Sequence, residues 1–317
     1  MKRAIARASV AAAVVLACLA GGSVAPATAA VRSGDLFVLD RDLVGKGKLV
    51  SVHLATGAQT VISRGGMFRD PFGMAVLPDG DVLIADQNAQ GGTGAIIRVD
   101  LQTGAQHLVS YAGSFKAPSD VAIEADGNLI VVDPAALGGG GAVFRVNPTT
   151  GRQRILAEGG YLKNPRGVAL TAKGNLVVAD EHAFGGPGGV IRIHRGTGAQ
   201  TVVSRGRNFL NPLGILVKPN GSIVVGDENA VTGRGALIRV NPRTGRQTRI
   251  AWGPPLHTVS GVALSVSGRI FVANQDGFRR NSGGVARLSP PARRLTKVAW
   301  GGRFVDPVDV AFVPPGG

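Results

Sequence analysis

The chain has 317 residues, 44% hydrophobic and 17% charged, and a formal net charge of +15 at pH 7. Its single cysteine excludes a framework of disulfides. No zinc-ligand spacing and no recognition-helix pattern accompany the positive charge, which sets nucleic-acid binding aside.

The first segment, Met1-Lys-Arg-Ala-Ile-Ala-Arg7, leads into an apolar run ending near Leu19 and then into Ala27-Thr-Ala29. A positive start, a short apolar core and a small-x-small site describe a secretory signal spanning residues 1–29. The apolar run is too short to cross a membrane as a stable helix. Cleavage after Ala29 would remove Cys18, and the loss of Lys2, Arg3 and Arg7 would lower the charge from +15 to +12. Alternatively, Val15-Leu-Ala-Cys18 reads as a lipoprotein site, with the protein lipid-anchored through Cys18. Both readings place the protein outside the cytoplasm, secreted or held at the envelope. A basic surface there would attract anionic wall polymers or acidic polysaccharide, but most of the arginines recur at fixed repeat positions rather than in one run, which favours a structural role for them.

Residues 30–317 read as one domain. Pro71, Pro118, Pro165 and Pro212 recur every 47 residues; Val259 continues the series, and Pro307 follows after 48. Such periods mark solenoids, propellers or arrays. In the first unit, Gly73–Leu77 and Asp81–Asp86 flank an Asp79-Gly80 turn. Ala95–Asp100 and Gln106–Ser110 then flank a Thr103-Gly104 turn, giving four short strands. The last strand-like segment, Asp306–Val313, has no following partner, and the first, Gly34–Asp40, has no preceding one. Joined, they complete a unit. The expected fold is therefore an all-β, six-bladed β-propeller with four antiparallel strands per blade. Its blades lie near residues 69–110, 117–157, 164–204, 211–251 and 258–299, and the sixth joins 306–313 to 34–63.

The run Asp70-Pro-Phe-Gly-Met-Ala-Val-Leu-Pro-Asp-Gly, followed by an Ile97-Arg-Val strand, resembles NHL repeats. It is also similar to the six-bladed propellers of the SMP-30/gluconolactonase and streptogramin-lyase group. The resemblance covers residues 34–313 and implies the fold more than an activity. In SMP-30-like lactonases, the residue between Pro and Gly is a metal ligand in some blades. The matching positions here, Phe72, Ser119, Arg166, Leu213, Ser260 and Val308, include no carboxylate or amide, so that metal centre is not implied.

Residues present in almost every blade read as framework. Strand two ends in Asp40, Asp86, Asp133, Asp180 and Asp227, with Asn274 in blade five. Strand three carries Arg98, Arg145, Arg192, Arg239 and Arg287, with Ser51 in blade six. The two exceptions coincide if each arginine pairs with the aspartate of the preceding blade, so blade-to-blade Asp–Arg contacts are one expectation. The other is that each aspartate caps its own loop through backbone N–H groups.

Departures from the repeat are the functional candidates. On strand one, Asp120 and Asp309 stand among Gly73, Gly167, Gly214 and Gly261 in the set expected to face the channel. They are the candidates for holding a divalent cation such as Ca²⁺, although no cofactor is evident from any motif. Glu124 and Lys218 are expected lower in the same channel. His182 and His257 on the loop-rich face, with Glu181 and Glu228, are the acid/base candidates. Tyr111, Tyr161, Trp252 and Trp300 are all the Trp and Tyr residues of the chain, and all fall in loops joining strand four to the next blade. They form a candidate rim for stacking on sugar rings.

The leading expectation is thus a secreted, monomeric binding propeller without a transmembrane span. Its partner would be a carbohydrate, a cell-wall polymer or an extracellular protein. A lactonase-like hydrolase or lyase and a non-catalytic envelope scaffold are the alternatives.

Overall fold

A computed structural model describes residues 34–42, 47–231, 233–275, 283–289 and 294–312. The expected signal segment 1–29, with Cys18, lies outside these residues. Six four-stranded antiparallel sheets form the expected six-bladed propeller. Blade one consists of Pro71–Val76, Val82–Asp86, Ala95–Val99 and Gln106–Tyr111. Blade six joins the two ends of the domain: Pro307–Phe312 pairs with Leu36–Asp40, which continues to Lys48–Val52 and Gln59–Arg64. Its register sets Val38 opposite Val310 and Leu36 opposite Phe312. Among the described residues, no helix is long and apolar enough to cross a membrane.

The apolar runs of strand two, such as Val82–Asp86 and Leu176–Asp180, are buried throughout because neighbouring blades cover both faces. Strand four is outermost and half-exposed. The core therefore lies between blades: Phe37 and Leu49 of blade six pack with Ile84 and Ile97 of blade one. Each loop from strand four to the next blade adds one buried apolar side chain, in the series Phe68, Phe115, Leu162, Phe209, Leu256 and Phe304. Phe115 meets Phe144 edge-on, with ring centroids 5.3 Å apart.

Strand-two aspartates cap loops rather than pair with arginines. Asp86 accepts hydrogen bonds from the backbone N–H of Arg69, Asp70, Asn88 and Ala89 at 2.8–3.1 Å. Asp133, Asp180, Asp227 and Asp40 accept the corresponding amides in their blades. Asn274 takes the N–H of His257 with its Oδ1 at 2.9 Å.

The expected blade-to-blade Asp–Arg pairs do not form, because the two groups sit at different levels of the blade. Asp86 is opposite Ala95 in the register, whereas Arg98 is opposite Leu83, three residues or about 10 Å further along. Arg98 instead bonds Asp79 and Asp81 of its own hairpin turn, each at 2.7 Å. Arg145 bonds Glu124, which removes Glu124 from the channel lining. A blade-to-blade polar contact that recurs around the ring comes from glutamines at the start of strand four. The Oε1 of Gln106 accepts the N–H of Met67, and its Nε2 donates to Ser63 and to the carbonyl of Gly65 in the preceding blade. Gln59, Gln153, Gln200 and Gln247 repeat the contact.

Asp86→Ala would leave several buried amides without acceptors, for a loss of about 3 kcal/mol. Asp86→Asn, which reproduces the side chain of blade five, should lose less than half as much. Urea denaturation of the two variants checks this order.

Candidate functional site

The inner strands meet around the propeller axis. In most blades a bulge breaks the pairing of strands one and two at the Pro-x-Gly segment, as between Pro71 and Gly73. The glycines there are required by crowding: a Cβ at Gly167 would collide with the carbonyl of Leu213, and one at Gly214 with that of Ser260. Asp120 and Asp309 replace glycine in blades two and six. Their neighbours in the preceding blades, Gly73 and Gly261, have no room for a Cβ beside those carboxylates.

Each carboxylate ties two amides together. Asp120 accepts from its neighbour Val121 and from Val168 of the next blade, both at 2.8 Å. Asp309 does the same with Val310 and Met74, again at 2.8 Å. Both border a central cavity of about 100 Å³, lined in all six blades by the residue at this Gly or Asp position and its two neighbours. Burial pushes the Asp120 carboxyl up to about 7. Burial, and then the charge of Asp120, raises Asp309 well above the usual carboxylate range.

Above this cavity, on the loop-rich face, Arg166 occupies the channel mouth. Its guanidinium lies over the ring of Phe72, with Cζ 4.4 Å from the centroid, so blade three reaches across to blade one. Its Nε is buried without a hydrogen-bond partner and lies 3.7 Å from Glu181 Oε2. Burial lowers its pKa, while Glu181, Glu228 and Asp70 favour the charged form. The carboxylate of Glu181 is held by the Asn164 and Asn211 side-chain amides, each at 2.8 Å. Arg41 bonds Asp306 through Nη2 at 2.7 Å and approaches Asp70 at 3.8 Å. Glu228 is half-buried and accepts no hydrogen bond from the described residues; burial and Glu181 raise its pKa.

The other sequence candidates separate. The Nδ1 of His182 lies 3.2 Å from the Asn164 side-chain amide, and its ring is exposed beside the Glu181 cluster. His257 is partly buried; its backbone bonds Asn274 and Gly235. Tyr111, Trp252 and Trp300 end outermost strands, so they ring the perimeter of the loop-rich face at a distance from the mouth. Tyr161 stacks obliquely on Phe184 at 5.1 Å. Arg249 and Lys297 lie 5.5 and 5.1 Å from the rings of Trp252 and Trp300. Lys218 borders a depression on the opposite face. In the sequence, Arg166 stands out as a missing metal ligand and not as a mouth residue. Its departure from Phe, Ser, Leu and Val at the same repeat position is the signal that marks it.

A lactonase-type metal does not fit these residues. Arg166 sets a cation at one ligand position, and the hydroxyls of Ser119 and Ser260 bond the carbonyls of Pro165 and Pro307 in the next blades. At Asp120 and Asp309 all four carboxylate oxygens already face amide hydrogens, which suit an anion rather than Ca²⁺. Among the described residues, no group of three or more His, Asp or Glu side chains converges in a metal-binding arrangement.

No protein-family model and no curated protein matches the sequence. Solved structures do match. A chain of a nidogen/laminin complex has a TM-score of 0.71 at 15% identity, covering 90% of this chain and 100% of that chain. A streptogramin B lyase has a TM-score of 0.59 at 15% identity, covering 91% and 90%. A gluconolactonase from Xanthomonas campestris has 0.58 at 18% identity, covering 77% and 84%. The chain shares the β-propeller architecture of these structures, with six blades of its own. At these identities the likeness is one of architecture.

The raised pKa of Asp309 has a definite sign for stability. The folded protein holds this proton more tightly than the unfolded chain, where the group titrates near 3.8. The stabilisation is complete below that pH and is lost as pH rises through the folded value. Asp309→Asn keeps a carbonyl acceptor without the charge, so its melting temperature should gain on that of the wild type between pH 5 and pH 8. Thermal melts across this range check the trend.

Proposed function

We propose that the protein is an exported binding propeller whose loop-rich face engages a carbohydrate. The observation that carries this reading is the exposure of all the Trp and Tyr residues on that one face: Tyr111 is 53% exposed, Tyr161 41%, Trp252 48% and Trp300 45%. Large amphipathic rings normally enter cores or interfaces, and here none serves the core. The mouth inside this perimeter mixes donors and acceptors, Arg166 and Glu228 among them, which suits the paired donor and acceptor character of sugar hydroxyls. Nothing in this arrangement requires a metal.

Titration with wall-derived oligosaccharides tests the proposal. Trp252→Ala and Trp300→Ala should each weaken binding roughly fivefold or more, for about 1 kcal/mol of lost stacking. Unchanged affinity in both variants would reject the aromatic rim. If no glycan raises the melting temperature, the face serves instead as a protein-binding scaffold.

A hydrolase or lyase reading rests on Glu228, a half-buried carboxyl with a raised pKa that faces Arg166 and Glu181 across the mouth. A carboxyl held above its usual range in this way is suited to general acid or base work. This reading predicts turnover of lactones or cyclic esters that falls at least about a hundredfold in Glu228→Gln. Steady-state assays with the two proteins distinguish it from simple binding.

A further inference from the structure

The positive charge of this chain is concentrated in one stretch of its sequence. Residues 159–300, the stretch that includes blades three to five, contain 20 of its 35 Lys and Arg but only 5 of its 20 Asp and Glu. The difference equals the whole formal charge of +15. The described acids of this stretch, Asp180, Glu181, Asp227 and Glu228, all stand at the ends of strand two, on the loop-rich face. The opposite face, formed by the hairpin turns, carries no acid in these blades among the described residues.

Blades one and two show what a balanced turn looks like. There the strand-three arginine is neutralised by its own hairpin: Arg98 by Asp79 and Asp81, and Arg145 by Glu124. In blades three and four the corresponding turns are Thr171-Ala-Lys-Gly-Asn175 and Lys218-Pro-Asn-Gly-Ser222. The acids are replaced by Lys173, Lys218 and neutral residues. Arg192 reaches only a backbone carbonyl, that of Pro242 at 3.2 Å, and Arg239 is exposed.

Two depressions of about 750 and 920 Å³ adjoin here and share Gly221, Pro242 and Arg243. Lys173, Arg192, Lys218, Arg239, Arg243 and Arg246 line them, with no carboxylate and no aromatic ring. Guanidinium forks along a groove suit repeated anionic groups. The lack of a stacking platform disfavours single-stranded nucleic acid, which uses aromatic rings for its bases.

We propose that the turn face of blades three and four binds a flexible polyol-phosphate polymer, reading its phosphodiester groups and not its backbone. This site is separate from the loop-rich face and stands or falls independently of carbohydrate binding there. Two faces with different ligands would let one molecule bridge two envelope components.

The test uses the chain without residues 1–29 and poly(glycerol phosphate) as the probe, followed by titration calorimetry. Binding at 50 mM NaCl should weaken at least about tenfold at 200 mM, because each neutralised phosphate releases counterions. Arg239→Ala/Arg243→Ala/Arg246→Ala should lose about tenfold or more in affinity and show a shallower salt dependence. Trp252→Ala should bind as the wild type does. If the triple variant does not fold, Arg243→Glu, at an exposed turn residue, decides by the same criterion. No binding at 50 mM NaCl, or equal binding by the arginine variants, overturns the proposal. An oligonucleotide of equal charge bound as tightly would also overturn it and make the face a nucleic-acid surface.

Discussion

Each blade depends on one buried carboxylate or amide at the end of strand two. A β-strand that runs between two covered faces must end inside the protein, and the loops beyond it bring backbone N–H groups that water cannot reach. Asp86 gathers four of them, from the loop entering its own blade and from the loop leaving the strand. Burial opposes the charge of this aspartate and the amides favour it. In five blades the aspartate pins both loop families of one face to the sheet, and in blade five Asn274 pins the entering loop, so that face is where variable side chains can be presented.

The second constraint is the narrowness of the axis. Six inner strands approach so closely that four blades carry glycine where a side chain would strike the next backbone. Asp120 and Asp309 are tolerated because each carboxylate bonds an amide of the following blade. They act as inter-blade ties in a small cavity, with a shared electrostatic penalty that protonation relieves. What looks from spacing like a pair of metal ligands is, in three dimensions, a pair of acceptors already satisfied by the backbone.

Much of the architecture is legible in the 47-residue period, because every unit must solve the same burial problem with the same residues. The role of strand-two aspartate was legible as one of two alternatives. Choosing between them needed the register, which sets Asp86 and Arg98 at different levels. Gln59, Gln106, Gln153, Gln200 and Gln247 also recur with the period and make a repeated blade-to-blade polar contact, yet a glutamine in an outer strand looks like ordinary surface. Glu124 looked like a channel residue by position, and Arg145 draws it to the hairpin end instead.

The amino-acid sequence by itself determined the ring, the number of blades and the strand exchange that closes it. These follow from local turn chemistry and from a repeat whose sixth unit takes three strands from one end of the domain and one from the other. Tertiary structure alone decided which exceptions to the repeat meet: Arg166 with Phe72 across the mouth, Asp120 with Asp309 around the axis, and the basic turns of blades three and four beside each other. Those encounters depend on the direction of each side chain and on distances across the ring between residues as much as 189 positions apart, as between Asp120 and Asp309. A linear period records which position is unusual. Only closure of the ring determines what it faces.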